Sequence, residues 1–201
     1  MTHPESFKAF AFPERHGKLQ KITLPWKDPK DGEVVVKVLA CGVCGSDEFL
    51  EEGHFGATYP RIPGHEIVGD IVQISPTVTQ WKVANSLMEL REMADTQEYV
   101  TLRAEVLVNL PADTDPAEVA PLLCAGVTVF NALRHMDYGP GDLVAVQGIG
   151  GLGHLAIQYA RKMGLRPVAI STSPSKKDLA LRLGAEAFLD SSKEDIGKAL
   201  T

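Results

Sequence analysis

The sequence predicts an α/β plus β chain: an irregular β domain first, then the opening half of a doubly wound parallel sheet. Three observations predict it. Short β-branched runs bounded by Gly, Pro and Ser fill the stretch before Asp115, the local grammar changes to helix capping at Asp115, and a strand, glycine-rich turn, helix and strand follow from Leu143. The 201 residues are 44% hydrophobic and 23% charged, a composition in which a packed core is the expectation. The net charge of -6 comes from interspersed acids and bases without like-charge runs, so nucleic acid and membrane surfaces gain no support as partners. Met1 to Phe12 builds no apolar stretch of signal length, and no later segment reaches about 18 apolar residues, so a cytoplasmic protein is expected.

Taken in order, Glu33 to Leu39 alternates Val34, Val36 and Val38 with Val35 and Lys37 and reads as a strand feeding a cysteine-rich loop. Ile67 to Ile74 is a second strand, set between the breakers Pro63-Gly64 and Ser75-Pro76, and Tyr99 to Leu102 and Leu107 to Leu110 continue the pattern. Ala84 to Gln97 is a polar stretch compatible with a helix. Asp115 can cap a helix that has Pro116 at its first position and Glu118 as the capping-box acid. Leu143 to Gln147 reads as a buried strand and Leu152 to Met163 as a helix with Leu152, Leu155, Ala156, Tyr159 and Met163 on one face. Val168 to Ser171 completes a βαβ unit; Pro174 to Leu183 gives the next helix, stopped by Gly184 in a left-handed conformation, and Ala187 to Leu189 starts a third strand. A doubly wound sheet has about six strands, so the chain encodes the first half of one.

Gly148, Gly150 and Gly153 form G-x-G-x-x-G, with Gly151 as a fourth glycine inside it. The motif alone is equally a ligand-free turn. Its place directly after a strand and before a helix favours dinucleotide binding, because that arrangement aims free N–H groups at a pyrophosphate. The end of the next strand offers no acid for ribose hydroxyls; it offers Ser171, Thr172 and Ser173, then Ser175, Lys176 and Lys177, which favours NADP over NAD, although the same serines can cap the following helix.

Cys41-Gly42-Val43-Cys44-Gly45-Ser46-Asp47 and Gly64-His65-Glu66 are the other chemical segments. The cysteine pair does not open the βαβ unit, which argues against a thioredoxin-like site, and no second C-x-x-C completes a structural zinc site. By itself His65 reads more readily as a histidine satisfied at a strand entry, and Cys124 as a small buried hydrophobe.

G-V-C-x-S-D, then G-H-E, then L-C-A-G-V-T ahead of the glycine turn is an ordered set that resembles the zinc-dependent medium-chain alcohol dehydrogenases. The resemblance covers nearly the whole chain apart from Ala84 to about Gln97. It implies a GroES-like catalytic domain over residues 1–125 and a partial Rossmann domain over residues 126–201. It further implies Cys44, His65 and Cys124 as ligands of one catalytic Zn2+, with Glu66 as an alternative ligand or a group beside them. Cys41 is then not a ligand. Two thiolates and an imidazole leave a fourth zinc position for a substrate oxygen, which is how a catalytic zinc site differs from a closed structural one. Ser46 is implied as the first proton acceptor, Asp47 as the partner orienting the His65 ring, and Thr128 as a residue beside the nicotinamide. Phe49 stands where several members have a proton-relaying histidine, and His54 lies too far along to replace it.

The resemblance implies a small-molecule alcohol or aldehyde substrate, NAD or NADP, and a homo-oligomer. The four-cysteine lobe common in the family is missing between Trp81 and Glu98. Codons for Met88 to Thr96 read in a shifted frame can spell Gly-Ile-Thr-Arg-Asp-Gly-Gly-Tyr-Ala, which is closer to the family's usual segment. Since half a sheet leaves an open edge, weak or no turnover is expected of the chain as written. The two competing expectations are an inactive fragment that serves as a binding or interaction module, and a zinc-free quinone or enoyl reductase, against which Cys44, His65 and Cys124 argue.

Overall fold

The computed structural model describes residues 3–56, 58–83, 86–89, 96–111 and 113–200, with 86–89 described by their backbone. The chain divides into two compact units, Met1–Cys124 and Ala125–Thr201.

In the first unit β1 (Ser6–Ala11) and β2 (Gln20–Pro25) pair as an antiparallel hairpin. Five further strands form an antiparallel sheet: β3 (Glu33–Cys41), β4 (Ile67–Ile74), β5 (Ser86–Glu89), β6 (Tyr99–Arg103) and β7 (Leu107–Asn109), in the order β6-β3-β4-β5-β7. Period-2 alternation explains the register: Val34 and Val36 lie opposite Leu102 and Val100 on one side, and Val36 opposite Ile71 on the other. With Ile67, Val78, Ala104 and Leu107 these residues form the core, each fully buried aliphatic side chain contributing about 1.5–3 kcal/mol. Trp81 closes the cluster and donates its indole N–H to the Ala104 carbonyl at 2.8 Å. An irregularity between Val38 and Ala40 bends β3 just before the cysteine loop and leaves Leu39 exposed.

Two expectations for these elements are revised, and one element, the hairpin β1–β2, is not predicted by the sequence. The stretch 84–97 is not helical where it is described: β5 pairs with β4 and β7, because β4 would otherwise present an open edge; residues 84, 85 and 90–95 lie outside the described set. The helix expected from Pro116 is broken into α2 (Pro116–Val119) and a 3-10 turn, Ala120–Leu123, with Pro121 inside it. Its cap is as expected, the Asp115 carboxylate accepting from the Ala117 amide at 2.8 Å. Ala120 and Leu123 pack on Val68 of β4, which brings the following Cys124 to the strand ends.

The second unit is a parallel sheet of β8 (Leu143–Gln147), β9 (Arg166–Ser171) and β10 (Ala187–Asp190), in the order β10-β9-β8. The helices are α3 (Ala125–Arg134), α4 (Gly151–Lys162), α5 (Lys177–Arg182) and α6 (Ile196–Ala199). Gly184 ends the α5 segment at φ +108°, the left-handed conformation expected of it. The buried face of α4 is Gly153, Leu155, Ile157 and Ala160, whereas Leu152, expected inward, is 47% exposed. Gly153 sets this rotation: a Cβ there would lie 1.8 Å from the Gly148 carbonyl oxygen, so the helix seats on the strand along its glycine. Tyr159 instead meets Phe130 of α3 edge to face. Among the described residues no single helix is long and apolar enough to cross a membrane.

Candidate metal centre and dinucleotide cleft

The β3–β4 ladder delivers the first three members of the centre. Cys41 pairs with Ile67 at its end, and one residue further the Gly42 amide still donates to the Glu66 carbonyl at 2.9 Å. From that common exit the chain runs on one side to Cys44 and α1 (Ser46–Glu51), and comes in on the other through Gly64, His65 and Glu66. Cys124 arrives from the 3-10 turn packed on β4. One potential ligand atom from each of Cys44, His65, Glu66 and Cys124 lies within 4.8 Å of all the others.

The Cys44 and Cys124 sulfurs are 3.7 Å apart. Two Zn–S bonds of about 2.3 Å meeting at a tetrahedral angle place sulfurs about 3.7–3.8 Å apart, so the spacing fits a shared tetrahedral ion. Burial pushes both thiols up. At Cys44, hydrogen bonds from Ser46, Cys124 and His65 overturn that effect and hold the thiol below its ordinary value. At Cys124 burial, then the bond to Cys44 and the Cys44 charge, push the pKa up to about 12. The two thiols are thus pushed in opposite directions, Cys44 toward the thiolate and Cys124 toward the thiol.

Asp47 organises the surroundings. Its Oδ2 accepts from the Cys44 amide at 3.0 Å and its Oδ1 from the Gly64 amide at 2.9 Å, which fastens the two loops together. Oδ1 also lies 3.3 Å from His65 Nδ1, an ion-pair distance off the line of a good hydrogen bond. Burial opposes the Asp47 charge, but the His65 ring and the two amides outweigh it and the pKa is lowered. The same carboxylate, against burial and with help from Cys44, raises His65 to about 9. His65 Nε2 faces the Ser46 hydroxyl at 3.2 Å, and that hydroxyl donates to the Cys44 sulfur at 3.1 Å. Glu66 is 2% exposed, its Oε2 is buried without a hydrogen-bond partner, and burial raises its pKa. A buried, unpaired carboxylate oxygen beside two thiols and an imidazole is a donor set short of a cation.

In the second unit Gln147, Gly148, Ile149, Gly150, Leu152 and Gly153 line an open cleft together with Ser171, Thr172, Ser173 and Lys176. Gly148 turns at φ +85°, and its amide donates to the Ile170 carbonyl at 2.9 Å. A Cβ on Gly150 or Gly151 would meet nothing within 4 Å, so that side of the turn is open to a ligand. Gly150 caps α4 without a side-chain bond, leaving the helix N–H groups available. Lys176 Nζ donates to the Ile149 carbonyl at 2.7 Å, folded across the turn; Ser171 Oγ accepts from the Ser173 amide, and Ser173 and Ser175 hydroxyls are 2.9 Å apart.

The structure therefore brings together Cys44, Ser46, His65, Glu66 and Cys124 in one unit, and Gly148, Gly150, Gly153, Ser171, Thr172, Ser173 and Lys176 around a cleft in the other. Gly151 starts α4 beside that cleft. Thr128 lies exposed on α3 and does not line the cleft. Phe49 meets His54 edge to face, and His54 Nε2 contacts Glu52 at 3.0 Å. Two residues to which the sequence assigns no role belong here: Gly42, signalled by its place opposite Glu66, and Ser191, which follows β10 and lines the cleft.

Residues 30–112 match the family model described as "Alcohol dehydrogenase GroES-like domain", and residues 151–201 the one described as "Zinc-binding dehydrogenase". An alcohol dehydrogenase of Penicillium expansum is 39% identical over 227 aligned positions that cover 99% of this chain and 67% of the relative. The chain belongs to the medium-chain alcohol dehydrogenase family. The GroES-like plus Rossmann-like fold agrees with that membership. An alcohol dehydrogenase of Geobacillus stearothermophilus is 38% identical over 85% of this chain and 59% of its own, so the chain spans roughly two thirds or less of these relatives. Because the Penicillium alignment is longer than the 201-residue chain, this member of the alcohol dehydrogenase family lacks positions that its relative has. Among solved structures, a Sorghum bicolor cinnamyl alcohol dehydrogenase matches with TM-score 0.81 and 28% identity over 92% of this chain and 64% of its own. A Pseudomonas syringae quinone oxidoreductase matches with TM-score 0.90 and 27% identity over 96% and 61%.

Proposed function

We propose that this chain is the catalytic-metal and dinucleotide-binding part of a zinc-dependent oxidoreductase that moves a hydride between a small alcohol or aldehyde and NADP. The observation that carries the proposal is the convergence of Cys44, His65, Glu66 and Cys124 within 4.8 Å. In this reading residues 1–125 are the catalytic domain and 126–201 the nucleotide-binding one.

Cys44, Cys124 and His65 Nε2 would hold the ion, with Glu66 as a fourth or alternating donor. Bound zinc supplies a Lewis acid that makes an alcohol more acidic and a carbonyl more electrophilic. Asp47 Oδ1 lies beside His65 Nδ1 and favours a proton on that nitrogen, which would leave Nε2 as the atom turned to a metal. The Ser46 hydroxyl, beside both the Cys44 sulfur and the ring, takes the substrate proton. Phe49 carries no titratable group, so onward release of the proton from Ser46 needs water or another group. In the other unit the glycine turn and the start of α4 receive the pyrophosphate, and Ser171, Thr172, Ser173 and Lys176 receive a ribose phosphate.

The likeness to a quinone oxidoreductase supports a second reading, a quinone reductase on the same fold that works without zinc. Metal analysis separates the two: the purified chain should carry about one equivalent of zinc, lost in Cys44→Ser. A metal-free chain that reduces quinones with NADPH and is indifferent to Cys44→Ser would overturn the alcohol dehydrogenase reading.

A further inference from the structure

Gly42 and Glu66 face each other across the last rung of the β3–β4 ladder, where the Gly42 amide donates to the Glu66 carbonyl at 2.9 Å. Side chains directly opposed on an antiparallel pair keep their Cβ atoms about 4.5–5.5 Å apart. Here an ideal Cβ on residue 42 would stand 3.0 Å from the Glu66 Cβ, 2.9 Å from its carboxyl carbon and 1.8 Å from Oε2. The Glu66 side chain therefore lies across the bare α-carbon of Gly42, in the space any other residue would fill. It is the same oxygen, Oε2, that is buried and without a hydrogen-bond partner. Gly42 has no positive φ to account for a glycine at that position.

We infer that Gly42 is a positioning residue for the metal centre, its missing side chain being the channel through which Glu66 brings its carboxylate to Cys44, His65 and Cys124. The inference rests on the zinc reading proposed above. Gly42 itself contributes no ligand atom. A methyl group at 42 would lie 1.8 Å from Oε2 and 3.0 Å from the Glu66 Cβ, so the carboxylate must turn out of that space, away from its place in the cluster, while the Glu66 Cβ gives by a few tenths of an ångström.

The test is a two-by-two set in the full chain: parent, Gly42→Ala, Glu66→Gly, and the double variant, which moves the free space from one strand to the other. Each metal-free protein is titrated with Co2+. The thiolate charge-transfer absorption reports both sulfurs, and the visible ligand-field bands report the remaining donors. Gly42→Ala should raise the Co2+ dissociation constant about 10- to 100-fold, the range typical of lost support around a ligand, and alter the visible bands. In the Glu66→Gly background the same substitution should change affinity less than about threefold. Equal affinity in parent and Gly42→Ala, or an equal loss in both backgrounds, would overturn the inference and leave the zinc reading standing. A parent without thiolate bands would sink both. Should Gly42→Ala fail to fold, recovery of folding in the double variant supports the collision with Glu66, and failure of both refutes it.

Discussion

Asp47→Asn tests the geometry of the centre without touching a proposed ligand. The Asp47 carboxylate accepts from two backbone amides on different loops, Cys44 at 3.0 Å and Gly64 at 2.9 Å, and sits 3.3 Å from the His65 ring. Asparagine keeps the shape and one acceptor, but its amide nitrogen then faces a backbone N–H that it cannot satisfy. One charge-assisted hydrogen bond is lost, about 1.5–3 kcal/mol, and a donor is orphaned, for a net cost of about 2–4 kcal/mol. For a chain of this size that corresponds to a melting-point drop of about 5–15 °C.

The pH dependence follows from the signs of the two shifts. The Asp47 pKa is lowered on folding from 3.8, so its contribution is complete above that value and disappears as pH falls through the folded pKa. The His65 pKa is raised from 6.5 to about 9, so its contribution is complete below 6.5 and disappears as pH climbs through about 9. The gap between parent and Asn variant should be widest in the window between the two unperturbed values, 3.8 and 6.5, and should narrow on either side. Calorimetry of the metal-free proteins across this range measures it, and an NMR titration should show the His65 pKa falling toward 6.5 in the variant. Melting within about 2 °C of the parent at about pH 5.5 would refute the assignment of Asp47 as the fastening between the loops.

In the second unit, Gly153→Ala should destabilise by about 1–3 kcal/mol or more, because its Cβ would lie 1.8 Å from the Gly148 oxygen. Gly151→Ala meets nothing within 4 Å and should be neutral or stabilise α4 by about 0.5–1 kcal/mol; urea unfolding distinguishes the pair, and equal effects would count against the packing role of Gly153. Lys176→Ala removes a cation that now rests on the Ile149 carbonyl at 2.7 Å. It should weaken NADPH binding about tenfold or more while NADH changes less than about threefold, as read by fluorescence titration; equal effects on both would argue against a phosphate partner.

What the sequence makes legible, and what it hides, follows one physical line. The strands β3 and β4 are readable because Val34, Val36, Ile67 and Ile71 are both hydrophobic and buried, so composition and burial agree. The hairpin β1–β2 is not readable, because it reverses the usual code: Ala9 and Ala11 are buried while Phe10 is 46% exposed, and small residues inward give no periodic signal. The face of α4 escapes the periodicity for a related reason, its contact with the sheet being fixed by a glycine that carries no hydrophobicity at all. At the metal centre, the convergence of Cys44, His65, Glu66 and Cys124 is reached through an ordered resemblance, whereas spacing alone leaves His65 and Cys124 with ordinary structural readings. The backbone bonds of Asp47 and the place that Glu66 takes over the bare Gly42 leave no mark in side-chain chemistry.

The ligand cluster needs no strained backbone at its cysteines, because ladder geometry already does most of the positioning. Antiparallel pairing of β3 with β4 fixes Cys41 opposite Ile67; beyond that rung Cys44 follows after two irregular residues, and Glu66 directly precedes β4. Asp47 then ties the divergent loops back together at Cys44 and Gly64, and Leu123 packs on Val68 of the same strand, so Cys124 is located by β4 as well. Every proposed ligand is thus referenced to one strand pair whose core side chains, Val34, Val36, Ile67 and Ile71, are at most 1% exposed. A substitution that loosens that pair, such as Ile67→Ala, should therefore cost metal affinity together with the about 2–5 kcal/mol expected of a buried truncation, although Ile67 offers no atom to a metal. Cobalt affinity that stays at the parental level while unfolding free energy falls would show that the loops hold the centre independently of the sheet.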